Sequence, residues 1–232
     1  MSNIFNVEGP VFSTLDRIAD LFWLNLLFIL CCIPVITIGA STTALYYVTL
    51  KMVKNEESHI TKSFFRAFKD NFRQSTVIWL IALLIGGILF ADYTIMSGVW
   101  IDISAMPDIF RKVMLVILLI AALLCAIILR YVFPLLARFD NTIKNTIKNA
   151  LLIGIRHLPY TALLLLITAA AVAAFYFIPA FRIAYFIMIF SLVAFLSSYI
   201  FVKIFSYYMP EEPEKDPDAF VLGGDEPDSE EQ

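Results

Sequence analysis

Apolar residues run along this chain in long blocks parted by short charged stretches, without the strict alternation of a half-buried strand. Residues 76–96, 113–136, 159–178 and 183–205 each approach the roughly twenty residues that cross about 30 Å of hydrocarbon at 1.5 Å per residue. A segment in lipid must satisfy its own backbone, so these blocks predict helices. An all-α, polytopic transmembrane helical bundle follows.

The first apolar region, residues 18–50, is too long for one straight crossing and contains "CCIPVITIGASTTALYY". Pro34 cannot donate a backbone hydrogen bond and Gly39 permits a tight bend, so two helices could meet between them. That hairpin would place the N-terminus on the same side as residues 51–75. A single span would place it on the other side, and the total is five or six membrane helices accordingly. Against the hairpin, residues 40–53 would reach only about 21 Å at 1.5 Å per residue.

Two polar connections add detail. In "SHITKSFFRAFKDNFRQS", Lys62, Arg66, Lys69 and Arg73 recur at intervals of four, three and four, forming one stripe on a helix, with Phe64, Phe65, Phe68 and Phe72 on another face. In "NTIKNTIKNALLIGIRHLP", Ile143, Ile147 and Leu151 oppose Lys144, Lys148 and Arg156. Both read as amphipathic interfacial helices whose cations meet anionic lipid or a partner. A shift of 83 residues aligns Ile60 with Ile143, Phe64 with Ile147, Phe68 with Leu151 and Arg73 with Arg156, which suggests a duplicated unit of interfacial helix and span. Ala82, Gly86, Gly87 and Ala91, and the alanines within 169–174, imply close helix contacts.

Composition agrees, with 60% hydrophobic residues and a mean hydropathy of +0.82. Charge sets orientation. The basic residues of 51–75 and 137–158 face the cytoplasm by the positive-inside rule, and residues 97–110, with Asp102 and Asp108, suit the outer side. The C-terminus is then cytoplasmic, in a bacterial plasma membrane. Residues 210–232 form a separate unit with ten acidic side chains, one lysine and four prolines, expected to be a disordered acidic tail. Removing its net charge of about −9 from the chain's −3 leaves about +6 on the membrane domain, residues 1–209. Residues 1–17 lack the basic n-region of a cleaved signal peptide.

Candidate chemistry is sparse. Cys31, Cys32 and Cys125 fall in apolar blocks at spacings that fit neither a metal site nor a disulfide framework, and His59 and His157 have no apparent triad. No phosphate-binding loop, nucleophile elbow or metalloprotease motif is present, so no catalytic residue, cofactor or metal is assigned and an enzyme is not expected. Neither is a nucleic-acid partner. Ionisable and amide groups inside apolar blocks are costly and therefore informative: Asp20, Asn25 and Arg130 are the candidate intramembrane polar site. In the hairpin arrangement an Asp20–Arg130 pair becomes possible. Otherwise each charge snorkels to its nearer interface.

The motifs "LNLLFILCCIPVITIGASTTALYYVTLKMVKNEES", "SFFRAFKDNFRQ" and "RYVFPLLARFDNTIKNTIKNALLIGIRHLP" resemble the YesL-like family of bacterial integral membrane proteins over roughly residues 5–205. Asn25, Pro34, Thr37, Gly39, Arg130, Pro134 and Asp140 lie on those motifs. The resemblance implies an association with carbohydrate-utilisation loci beside sugar ABC transporters and carries no settled activity, so it assigns no residue a role. It points to a non-enzymatic accessory of carbohydrate uptake, with membrane lipid, sugar permease subunits or a second copy of the chain as partners. The alternative is a small-solute transporter with a site near the broken N-terminal helices.

Overall fold

The computed structural model describes residues 10–56, 59–98, 107–177 and 182–209. Among these, seven α-helices form a single bundle: α1 (Pro10–Cys32), α2 (Ile38–Lys54), α3 (Ile60–Met96), α4 (Asp108–Arg138), α5 (Ile143–Arg156), α6 (Leu158–Phe177) and α7 (Arg182–Ser206). Four segments are long and apolar enough to cross a membrane: Ile60–Met96, Asp108–Arg138, Leu158–Phe177 and Phe186–Ser206. They match the four blocks legible in the sequence. The acidic tail, the loop with Asp102 and residues 1–9 lie outside the described residues.

The first apolar region is two helices. Pro34 ends α1, and a single 3-10 turn, Val35–Thr37, leads into α2. The Thr37 hydroxyl lies 2.5 Å from the Cys31 carbonyl, positioned to donate to a group that α1 leaves orphaned at its end, and 2.6 Å from the Pro34 carbonyl, which also accepts the Thr37 N–H at 3.0 Å. The Trp79 indole N–H donates to the Val35 carbonyl at 2.8 Å, so α3 holds the turn from outside. The chain folds back far enough for the Arg17 guanidinium to donate to Asn55 Oδ1 at 2.5 Å and for Trp23 to donate to Thr61 Oγ1 at 2.9 Å. The start of α1 and the end of α2 therefore share one end of the bundle.

That end is also where α2 stops. Asn55 takes a left-handed conformation, φ 56°, which asparagine tolerates, and its N–H returns to the Lys51 and Met52 carbonyls. Lys51, Lys54, Arg138 and Met209 line one small cleft there, so the carboxyl ends of α2, α4 and α7 converge with a cluster of cations.

α2 is the central helix. Eleven of its 17 residues are buried, including Gly39, Ala40, Thr43, Ala44, Val48 and Thr49. Small side chains explain this position. A Cβ on Gly39 would lie 2.5 Å from the Ser75 carbonyl oxygen and 2.7 Å from Trp79 Cβ, so only glycine lets α3 come this close. Hydroxyls then tie the helices together. Thr43 Oγ1 and Ser75 Oγ are 2.9 Å apart between α2 and α3, and Thr49 Oγ1 and Ser198 Oγ 2.8 Å apart between α2 and α7.

Two expectations change. The segment with the first cation stripe is not a separate helix, since α3 continues from it through the apolar block for 37 residues, about 55 Å. Its aromatic face is also divided. Phe64 is fully buried and Phe68 packs against the core, whereas Phe65 and Phe72 are exposed. In the equivalent later region the chain does break, at His157 between α5 and α6. The shift of 83 residues places Pro159 opposite Thr76, and proline has no N–H with which to continue the earlier helix. The two units still share the buried pair Ala67 and Ala150.

The second change concerns the small residues of α3. Gly86, Gly87 and Ala91 are exposed, and a Cβ on either glycine would meet nothing within 4 Å. The close approaches are made elsewhere, at Gly39 and at Gly154, where an added Cβ would lie 2.5 Å from Ile127 Cγ2.

Candidate functional site: an arginine at the end of an apolar cavity

Arg130 sits in α4 four residues before Pro134, whose missing N–H leaves the Arg130 carbonyl without its usual helical partner. The side chain does not reach for an interface. Its terminal N–H groups donate to the Tyr46 hydroxyl on α2 and to Ser197 Oγ on α7. The guanidinium carbon stands 5.9 Å from the ring centroids of both Tyr46 and Phe201, within range of a cation–π attraction. Ser197 in turn donates to the Val193 carbonyl at 2.6 Å, and the Tyr46 ring meets Phe201 edge-on at 5.7 Å. Three helices thus fix one cation.

Beside it lies a cavity of about 480 Å³, within the volume range typical of small-molecule sites and open along the side where Val172, Tyr176 and Phe186 are exposed. Phe28 of α1, Tyr46 of α2, Val172 and Tyr176 of α6 and Phe190 of α7 line it, and Arg130 is its charged member. Along α7 the lining runs from Phe186 to Ala194, about 12 Å, and Ser197 follows one turn later. Arg130 therefore closes the end of the cavity nearest Ser197.

The other two residues of the candidate intramembrane site are elsewhere. Asn25 is fully buried and serves the backbone of α7: its amide donates to the Phe186 carbonyl at 3.2 Å and accepts from the Ser191 N–H at 3.0 Å. Asp20 lines a groove with Trp23, His59 and Lys62 near the start of α3. Arg130 has no salt bridge among the described residues, so the Asp20–Arg130 pair does not form. The hairpin explains why. Asp20 is one turn from Arg17, which meets Asn55, whereas Tyr46 lies nine residues before Asn55, about 13 Å along α2.

The candidate contact cations are exposed. Lys62, Arg66, Lys69 and Arg73 occupy the open face of α3, and among the described residues Arg66 alone of the four forms an ion pair, 3.8 Å from Asp70. Lys144 and Lys148 are exposed on α5, opposite its buried Thr146, Ala150, Ile153 and Gly154. Arg156 lies 6.0 Å from the Tyr208 ring centroid, beside His157, whose Nε2 is 3.0 Å from the Tyr208 hydroxyl. A further polar relay went unread in the sequence. The Thr161 hydroxyl lies 2.7 Å from the Gly154 carbonyl and 2.8 Å from the Tyr131 hydroxyl, fixing the corner between α5 and α6 against α4. Among the described residues no group of three or more His, Cys, Asp or Glu side chains could hold a metal.

Residues 21–93 match the family described as "Protein of unknown function, DUF624". The chain is 29% identical over 153 residues, 65% of its length, to "Uncharacterized protein YteU" of Bacillus subtilis, and that alignment covers 64% of the relative. It is also 29% identical over 157 residues to "Uncharacterized protein YesL" of the same organism, covering 67% of this chain and 69% of the relative. No solved structure matches it significantly.

Proposed function

We propose that this chain, which is similar to YesL and YteU and matches the DUF624 family over residues 21–93, is a non-enzymatic accessory of bacterial carbohydrate uptake. Its role is to dock a sugar permease at the cytoplasmic face of the plasma membrane. The family resemblance to proteins of carbohydrate-utilisation loci supports the substrate field. The observation that carries the docking role is the row Lys62, Arg66, Lys69 and Arg73 on a helix that continues without a break into a membrane span. Such a row is held at a fixed height and angle to the bilayer, and four cations near an anionic surface contribute about 1 kcal/mol each. α1 and α2 add a hairpin to the four spans, giving six membrane helices with both termini cytoplasmic. α5 lies along the interface with Lys144, Lys148 and Arg156 toward the headgroups.

Mild-detergent purification of the tagged chain from its native membrane, with co-purifying proteins identified by mass spectrometry, tests the reading. Recovery of sugar-permease subunits at a reproducible ratio, lost when Lys62, Arg66, Lys69 and Arg73 are all changed to Gln, is the expected result. Recovery of the chain alone, or only with copies of itself, would sink the accessory role.

The cavity beside Arg130 favours a second reading, small-solute transport through the bundle. Purified protein in liposomes would then carry solute flux that Arg130→Ala abolishes without unfolding the chain.

A further inference from the structure

A guanidinium in the apolar part of a bundle normally has a carboxylate beside it, because a lone charge away from water is expensive. Arg130 has none among the described residues. Its partners Tyr46 and Ser197 are neutral, and its buried Nε has no hydrogen-bond partner among the described residues. The two donated hydrogen bonds nonetheless hold the group rigidly at the end of the cavity. A fixed cation with spare donors is complementary to an anion.

The walls narrow the choice. Phe28, Val172, Phe186 and Phe190 offer carbon surface, and hydroxyls at Thr42 and Thr168 are the remaining side-chain polar groups apart from the two tyrosines. A free hydrated anion would surrender its water shell here for one guanidinium. A sugar would leave most of its hydroxyls unbonded. We propose that this cavity binds an anionic amphiphile, with a carboxylate or phosphate headgroup against Arg130 and an apolar body between α6 and α7. The site needs no docked permease and no flux, so failure of either reading above leaves it standing.

The test uses the full chain in phosphatidylcholine nanodiscs and the fluorescent probe 11-(dansylamino)undecanoic acid, with empty nanodiscs as the partition background. The wild type is expected to bind the acid saturably above background, and its methyl ester at least tenfold more weakly. Arg130→Gln should lower affinity for the acid at least tenfold and leave the weak ester binding unchanged. Val172→Trp, which fills the cavity from α6, should remove both. Size-exclusion profiles and helical circular dichroism check that each variant is folded, and the acid-to-ester contrast requires no variant. Competition separates the headgroups: displacement by oleate identifies the carboxylate class, and displacement by lysophosphatidic acid the phosphate class. No binding above background, equal binding of acid and ester, or undiminished binding by folded Arg130→Gln would overturn the proposal. Displacement by acetate or inorganic phosphate at the concentrations effective for the amphiphiles would also overturn it, since the apolar body would then contribute nothing.

Discussion

α2 and the outward part of α3 are both helices of a membrane bundle, yet their surfaces have opposite fates. α2 is rich in glycine, alanine, serine and threonine and buries most of its length, whereas α3 beyond Trp79 presents Leu83, Leu84, Ile85, Ile88 and Phe90 to its surroundings. The greasier helix is the exposed one. In lipid, a leucine side chain gains little by leaving the hydrocarbon for a protein neighbour, so the buried place goes to the helix whose small side chains let backbones approach. Hydropathy therefore reports which segments face lipid, while small residues and hydroxyls report which segment is surrounded by protein. α2 is not among the four segments long and apolar enough to cross a membrane, although it lies at the centre.

Substitutions on the two sides of this contrast should behave differently. The largest effect is expected from Gly39→Leu, which drives a side chain into the Ser75 carbonyl and Trp79. Overpacking of this kind costs about 1–3 kcal/mol, and here α3 must move away as a whole, so the upper end applies. Unfolding of the detergent-solubilised protein in dodecyl sulfate would read it; an unchanged midpoint would mean that α2 and α3 are not in contact at Gly39.

Asn25→Ala comes next. It removes both hydrogen bonds to α7 and leaves a void where the buried amide sat, at a cost of about 1–2 kcal/mol. Hydrogen exchange should rise locally around residues 186–191. If exchange there stays at the wild-type rate, Asn25 is not what secures this stretch.

Tyr131→Phe deletes one side of the Thr161 relay and should cost about 0.6 kcal/mol, the usual worth of a hydrogen bond between membrane helices. A double-mutant cycle with Thr161→Val isolates the coupling, and strict additivity would remove the relay as a stabilising feature. The smallest effect belongs to the exposed face. Gly86→Leu should leave the stability of the isolated chain within about 0.5 kcal/mol, because nothing lies near its Cβ. A large loss on this substitution would mean that another helix of the bundle packs against Gly86 and would blur the contrast with α2.

Particular residues show how far the sequence could be read. Pro34 marked where a break between α1 and α2 could fall, because a missing N–H is a property of the residue itself. Whether the chain then turned back or ran on depended on pairings such as Arg17 with Asn55, 38 positions apart. The continuity of α3 was hidden because a stripe of cations followed by an apolar block reads equally well as one helix or two. Arg130 was conspicuous as a charge in an apolar block, but its partners Tyr46 and Ser197 lie 84 and 67 positions away and carry no local mark. The nearest signal was Pro134, four residues on, which frees the Arg130 carbonyl from its usual helical partner. Asn25 was conspicuous as a polar amide in an apolar block and proved to be a backbone clasp.

The sequence by itself determined the helical class and the four apolar spans, because each follows from transfer free energy summed over neighbouring residues. Tertiary structure alone decided that α2 is central, that Asp20, Asn25 and Arg130 part company, and that Arg130 closes a cavity. Those outcomes depend on which faces of distant helices meet. Local hydropathy is nearly silent on that choice when the surrounding solvent is itself hydrocarbon.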